Sequence, residues 1–199
     1  MSNWMQRLVW LPAGDPRNPY PFEVLDCRNA CLALSESAGV ETAPDAVAAI
    51  QKTVEALPPT PMMADGSSVG CAITIRCRDG LAEHSKSEAL PIGHKWLLDR
   101  ADQTILARRR WTGQLIHIAE FEMLDERMTV NRLTYRAPSV YGSWEYAVAE
   151  IEFLLKTYVE GAPSAFPIPP GLSRDNTQKI ALEGWKVHGP IAQFGRLLQ

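Results

Sequence analysis

Long apolar segments are absent from this chain of 199 residues. No run approaches the ~18–20 consecutive apolar residues that a membrane-spanning helix requires. The segment before Pro12 also lacks the continuous apolar stretch and the small-residue cleavage site of a secretory signal. We therefore expect a cytoplasmic protein that does not bind membranes.

Cysteine is scarce, with four residues in the chain. If Cys71 and Cys77 lie on one strand, their Cα atoms are about 20 Å apart, whereas a disulfide requires less than about 7 Å. Cys27 and Cys31 have the spacing of two metal ligands, but no second Cys or His pair follows them at zinc-finger spacing. We predict four reduced thiols, mostly buried, and no metal or other cofactor.

Signatures of catalysis are also missing. The histidines form none of the spacings that bind a catalytic zinc ion; they are His84, His94, His117 and His188. The short Ser–Gly segments match neither the nucleophile elbow of hydrolases nor a phosphate-binding loop. We predict that the protein is not an enzyme, and we keep one alternative, in which a cysteine or histidine inside a cavity is catalytic.

A strong net charge is absent, since the formal value is −3 and the isoelectric point is near 5.8. Nucleic-acid-binding domains usually carry a basic surface, so we expect no nucleic-acid partner. The densest charge run contains Arg108 and Arg110, which share one face if the run is a strand. Exposed on a strand, these two and Arg132 are candidates for a surface that binds a protein partner. The alternative, which the negative net charge favours, is a solvated face that protects a sheet edge.

The central third of the chain has the pattern of a sheet. In segment 69–78, apolar residues alternate with small or charged ones, which is typical of a half-buried strand. Further strand-like runs follow at 95–100, 104–111, 114–124 and 127–136. In the last run the apolar positions change parity, which a β-bulge or a strand covered on both faces would explain. The pattern predicts an antiparallel meander of five to seven strands.

Two main helices are predicted to pack on this sheet. The first spans 42–57, and the second spans 143–160, with Ser143 as the N-cap and Gly161 just past the end. The second helix has a wide apolar face that includes Trp144. Its acidic residues are expected on the outer, solvated face; they are Glu145, Glu150, Glu152 and Glu160.

The remaining segments are less regular. Residues 22–34 resemble a strand followed by irregular structure, and a short helix is predicted over 173–182. Prolines cluster in the C-terminal arm, 162–199, which therefore begins as an extended segment. Trp185 and Phe194 make this arm too apolar for solvent, so we expect it to pack on the body or on a partner subunit and to contribute to an interaction surface. Together these patterns predict an α+β fold in a single domain, 1–199.

The order of these elements is similar to two architectures. One is a flat sheet covered by helices, as in PsbP-like adaptor domains, and the other is a curved sheet that grips its last helix around a cavity, as in START-like ligand carriers. No motif assigns the chain to either family.

Three functions follow from this architecture. The leading hypothesis is a non-enzymatic protein-interaction protein, such as a bacterial adaptor, chaperone or immunity-type partner, with another protein or a second copy (a homodimer) as its partner. The second is a carrier of a small apolar ligand, with a cavity between the sheet and helix 143–160. That cavity would be lined by His117, Phe121, Tyr135 and Trp144. The third is an enzyme that uses a cysteine or histidine of the same cavity.

Overall fold

The computed structural model describes residues 7–38, 63, 65–77 and 94–198. The predicted helix 42–57 lies outside the described residues. The described chain is an α+β structure with a five-stranded sheet, a four-stranded sheet and three α-helices, which confirms the predicted fold class.

The larger sheet is the predicted antiparallel meander. Its strands are β3 (Ser67–Arg76), β4 (Trp96–Ala101), β5 (Thr104–Arg109), β6 (Leu115–Leu124) and β7 (Arg127–Tyr135). They lie in the order β3-β7-β6-β5-β4, so the last four are sequential neighbours and β3 returns beside β7. Tight turns make this possible, because both Asp102 and Asp125 adopt the positive φ angles, 51° and 53°, that aspartate tolerates better than most residues.

The parity change in β7 is a β-bulge. Glu120 pairs with Arg132 and Phe121 pairs with Val130, so Asn131 is an extra residue in β7. The extra residue moves the following side chains to the opposite face. Met128, Val130, Leu133 and Tyr135 are consequently all buried on the core side despite their different parities.

The smaller sheet joins the two ends of the described chain. It consists of β1 (Val9–Leu11), β2 (Val24–Asp26), β8 (Phe166–Pro167) and β9 (Phe194–Arg196), in the order β1-β2-β9-β8. After β2 the chain forms helix α1 (Arg28–Ala38), so the irregular structure predicted for the second half of 22–34 is wrong. The Asp26 carboxylate accepts a hydrogen bond from the Arg28 N–H at 3.1 Å, which starts a helix in this Ala- and Leu-containing segment.

Helix α2 (Trp144–Leu155) begins as predicted. Oγ of Ser143 accepts a hydrogen bond from the Tyr146 N–H at 3.1 Å, and a π-helical turn, Lys156–Glu160, leads to Gly161 at φ 66°. The predicted orientation of the helix is wrong at two positions. Glu150 is fully buried and Trp144 is 49% exposed, because α2 packs against both the large sheet and β8 and so buries more than one face.

The C-terminal segment contains helix α3 (Thr177–His188), which starts four residues later and ends six residues later than the helix predicted over 173–182. Its N-cap is Asn176, whose Oδ1 accepts a hydrogen bond from the Lys179 N–H at 3.2 Å. Behind α3, the ring of Phe166 fills the space left by two glycines. A Cβ on Gly184 would lie 2.5 Å from the ring, and a Cβ on Gly195 would lie 2.9 Å from it. The absence of both side chains lets α3 and β9 approach Phe166 closely.

Candidate functional site

The four residues expected to line a cavity do not lie together. His117, Phe121 and Tyr135 are buried, with exposed fractions of 0%, 2% and 8%. Trp144 lies outside the core and faces a groove on the other side of α2. The described residues therefore form no single cavity that all four side chains line.

The two arginines of β5 and the turn after it are not exposed, so this part of the predicted interaction surface is wrong. Arg108 and Arg110 are each 4% exposed. Arg108 lies opposite Leu97, which is also buried, and its Nε is 3.9 Å from Oδ2 of Asp99. This face of the sheet is covered, which alternation along a single strand cannot reveal. Arg132 is exposed as expected, with 62% of its side chain accessible.

Of the two C-terminal aromatic residues, Phe194 is also not a surface residue. It is 6% exposed, because β9 lies between β2 and β8 and places the ring edge-on to Tyr20. Trp185 is half-buried; its indole N–H donates to Oγ of Ser35 at 3.4 Å, and the Lys95 ammonium lies over its ring.

The thiols are poorly suited to nucleophilic chemistry. All four cysteines are free; Cys27, Cys31 and Cys77 are buried and Cys71 is half-buried. Burial raises the pKa of Cys27 well above its usual value, raises that of Cys31 to about 12, and also raises that of Cys71. These three thiols are therefore protonated at neutral pH, whereas the reactive form is the thiolate.

A buried polar cluster lies where β6, α2 and α3 meet. We define it as His117, Tyr146, Glu150 and His188, all with 0% exposure. Nε2 of His117 donates to Oε2 of Glu150 at 2.8 Å, and the Tyr146 hydroxyl donates to Oε1 at 3.4 Å. Nε2 of His188 is 3.7 Å from Oε1 of Glu150, too far for a hydrogen bond.

Trp96 and Arg109 surround this cluster. The Trp96 ring stacks on both imidazoles, with centroids 5.8 Å from His117 and 6.3 Å from His188. The Arg109 guanidinium lies 3.9 Å over the Trp96 ring. The carbonyl of Val187, next to His188, accepts both the Trp96 indole N–H at 2.9 Å and an Arg109 N–H at 2.7 Å. The C-terminal end of α3 is thus held to β4 and β5.

Glu150 carries a negative charge in the cluster, and the imidazole of His188 is neutral. Burial by itself raises the pKa of Glu150. The hydrogen bond from His117 and the positive charge of Arg109 lower it by more, so the pKa lies below its usual value. Burial lowers the pKa of His188 to about 3, although Glu150 opposes this. Within the described structure, neither ring nitrogen of His188 has a hydrogen-bond partner. The only signal in the sequence for this arrangement is that Glu150 lies between Ala149 and Ile151 in an apolar turn.

The second feature is an open groove of about 730 Å³ on the outer side of α2, which we call the α2 groove. Its apolar lining comes from β1 and the β1–β2 connection, from α2, and from the residues after β9. These side chains are Trp10, Phe22, Trp144, Val148, Leu197 and Leu198.

Most charges of the α2 groove are paired with one another. Arg174 makes two hydrogen bonds to the Glu23 carboxylate, at 2.5 and 2.6 Å, and lies over the Trp10 ring. Arg196 lies 3.1 Å from Glu152. Glu145 is exposed and accepts a hydrogen bond from the Ser143 hydroxyl at 2.8 Å, but it has no ion-pair partner in the part of the chain that the structure describes.

In residues 7–38, 63, 65–77 and 94–198, no group of three or more His, Cys, Asp or Glu side chains could hold a metal ion. Within the same ranges, no helix has the length and apolarity to cross a membrane. Comparisons with protein-family models, with curated proteins and with solved structures found no match, so the geometry of the cluster and the groove is the basis for inferring function.

Proposed function

We propose that this protein is a non-enzymatic binding module that holds a segment of another protein in the α2 groove. The observation that carries the proposal is Trp144, a large aromatic residue that is 49% exposed at the mouth of a groove lined by Trp10 and Phe22. Exposed tryptophan within an apolar groove is typical of binding hot spots in protein interfaces. A half-exposed indole that gained no partner would leave apolar surface in water.

The charges of the groove indicate the chemistry of the partner segment. Because Arg174 pairs with Glu23 and Arg196 pairs with Glu152, these groups are already satisfied within the protein. Glu145, in the first turn of α2, is the groove carboxylate left to interact with a ligand. The occupant is therefore an apolar or aromatic segment that carries a lysine or arginine near Glu145.

The protein belongs to the cytoplasm under this proposal. Four free cysteines, three of them buried, are the state that a reducing compartment maintains. The partner is another protein, and self-association into a homodimer is the competing possibility that the test below separates.

A selection from a random peptide library tests the proposal. Peptides selected on the full chain are expected to carry aromatic or aliphatic residues together with Lys or Arg. Their affinity is expected to fall about tenfold or more in Trp144→Ser, the effect of removing a hot-spot side chain. Trp111→Ser is the matched control, since Trp111 is 37% exposed and lies outside the groove.

Three results would overturn the proposal. The first is a set of selected peptides that bind Trp144→Ser as tightly as the wild type. The second is a dimer, measured by sedimentation, that dissociates on Trp144→Ser, which would make the occupant a second copy. The third is a small extra mass in native mass spectrometry that is lost on Trp144→Ser, which would make the occupant a small ligand.

A further inference from the structure

We propose that the buried cluster is an acid-sensitive latch that holds α3 and the residues after it, up to 198, against the body of the protein. His188, the last residue of α3, is the group that responds to acid. The latch goes beyond the proposed binding function and does not depend on it.

The surroundings of His188 are apolar on most sides. Its ring is edge-on to Phe153 at 4.9 Å, is 5.8 Å from Phe166, and stacks on Trp96. The side chain has no exposed surface, and its two ring nitrogens make no hydrogen bond to any described atom. An imidazolium in this position would be a charge removed from water without hydrogen-bond acceptors, which is strongly unfavourable.

The charged and titratable groups around His188 do not compensate for that charge. The carboxylate of Glu150 faces His188 from α2, but it already accepts hydrogen bonds from His117 of β6 and from Tyr146. From β5, Arg109 opposes a second positive charge. From α1, the Cys31 thiol donates to the Ala192 carbonyl at 2.8 Å and stays neutral, because burial raises its pKa to about 12.

The charged side chains of α3 itself lie away from His188. Glu183 pairs with Lys186 at 3.0 Å on the exposed side of the helix. Lys179 is exposed near the N-terminal end of α3, nine residues before His188. None of these three side chains contacts the imidazole, so the response to acid belongs to the cluster.

The position of His188 makes it a latch for a whole segment. The neighbouring Val187 carbonyl holds Trp96 and Arg109, and a 3₁₀ turn, Gly189–Ile191, leads directly to β9. Beyond β9, Leu197 and Leu198 line the α2 groove. Opening of this segment therefore also removes one wall of the groove.

The size of the effect follows from linkage. The opened state exposes the imidazole, whose pKa returns to its ordinary value of 6.5, while in the closed state it is about 3. Between these values the opened state binds more protons, so it gains about tenfold in population for each pH unit of acidification. From pH 7.5 to pH 5.0 the expected increase is about 30-fold.

Hydrogen exchange of the full chain at pH 7.5 and pH 5.0, corrected for the intrinsic pH dependence of exchange, tests the latch. Amides of 177–198 are expected to exchange about 30-fold faster at pH 5.0, through an opening whose free energy is smaller than that of β6 and β7 at both pH values. In His188→Leu and in His188→Gln the acid response of 177–198 is expected to disappear. The control His94→Gln should retain it, since His94 is a half-buried histidine that bonds Tyr158 instead.

Two results would overturn the latch. One is equal protection of 177–198 in the wild type at the two pH values. The other is an opening free energy of 177–198 that equals that of the central strands at both pH values, which would show that the segment opens only by global unfolding. Both are read from the wild type alone, so the test stands even if neither His188 variant folds.

Discussion

Nε2 of His117 lies 2.8 Å from Oε2 of Glu150, and neither side chain is exposed to solvent. The contact joins β6, the central strand of the large sheet, to α2 through a charge-assisted hydrogen bond. Because Glu150 is buried, loss of this partner would leave a carboxylate charge without compensation inside the protein, which is very unfavourable.

Removal of the Glu150 carboxylate should destabilise the protein strongly. Glu150→Ala leaves His117 and Tyr146 without their shared acceptor inside the core, and breaking a buried pair costs about 3–5 kcal/mol. Glu150→Gln keeps the shape and an acceptor, so it should cost less. Urea unfolding measures both. Glu145→Gln, on the exposed side of the same helix, should change the free energy of unfolding by less than about 0.5 kcal/mol; equal losses at the two positions would contradict the structure.

The free energy of unfolding should fall as the pH decreases from 7 to 4. His188 has a lowered pKa in the folded state, so the unfolded state binds more protons below pH 6.5, the ordinary value. The lowered pKa of Glu150 acts in the same direction. With about 3 and 6.5 as the two values, the full loss for His188 is about 5 kcal/mol, at 1.36 kcal/mol per unit. Urea unfolding at several pH values tests this, and a flat profile in the wild type would refute it.

Gly184→Ala should destabilise the protein although it lies inside a helix. Alanine favours an exposed helix over glycine by about 1 kcal/mol. Here, however, the new Cβ would lie 2.5 Å from Cζ of the fully buried Phe166, and overpacking of this kind costs about 1–3 kcal/mol. We therefore expect a net loss of stability in thermal or urea unfolding.

Gly70→Ala is the matched control for that variant. Nothing lies within 4 Å of a Cβ on Gly70, so its free energy of unfolding should change by less than about 0.5 kcal/mol. A stabilised Gly184→Ala protein would show that α3 does not pack on Phe166 as described.

Thiol labelling should distinguish one cysteine from the other three. Cys71 is half-buried, whereas Cys27, Cys31 and Cys77 are buried, so a thiol reagent at neutral pH is expected to modify Cys71 first. All four should react once the chain is denatured. Mass spectrometry of labelled peptides reads the order, and Cys71→Ser should remove the early reaction. Early modification of Cys31 would contradict the close contact of its sulfur with the Ala192 carbonyl.

Local patterns in the sequence predicted the large sheet well. Alternation, turn residues and the N-cap Ser143 depend on interactions within a few residues, so β3 to β7 and the start of α2 follow from the chain alone. The candidate site was harder to predict. The sequence placed Trp144 on the buried face of the helix and Glu150 on the solvated face, whereas the structure has Trp144 exposed and Glu150 buried. The orientation of a helix depends on what packs on each side of it.

The sequence by itself determined the α+β class, the sequential antiparallel strands β4 to β7 and the start of α2, because hydrogen bonding and alternation are local. Only the tertiary structure decided that Arg108 and Arg110 are covered, that Phe194 is inside a small sheet, and that His117, Glu150 and His188 meet. His117 and His188 are 33 and 38 positions away from Glu150 in the chain. Such contacts arise from the packing of whole elements against one another, which no spacing along the chain records.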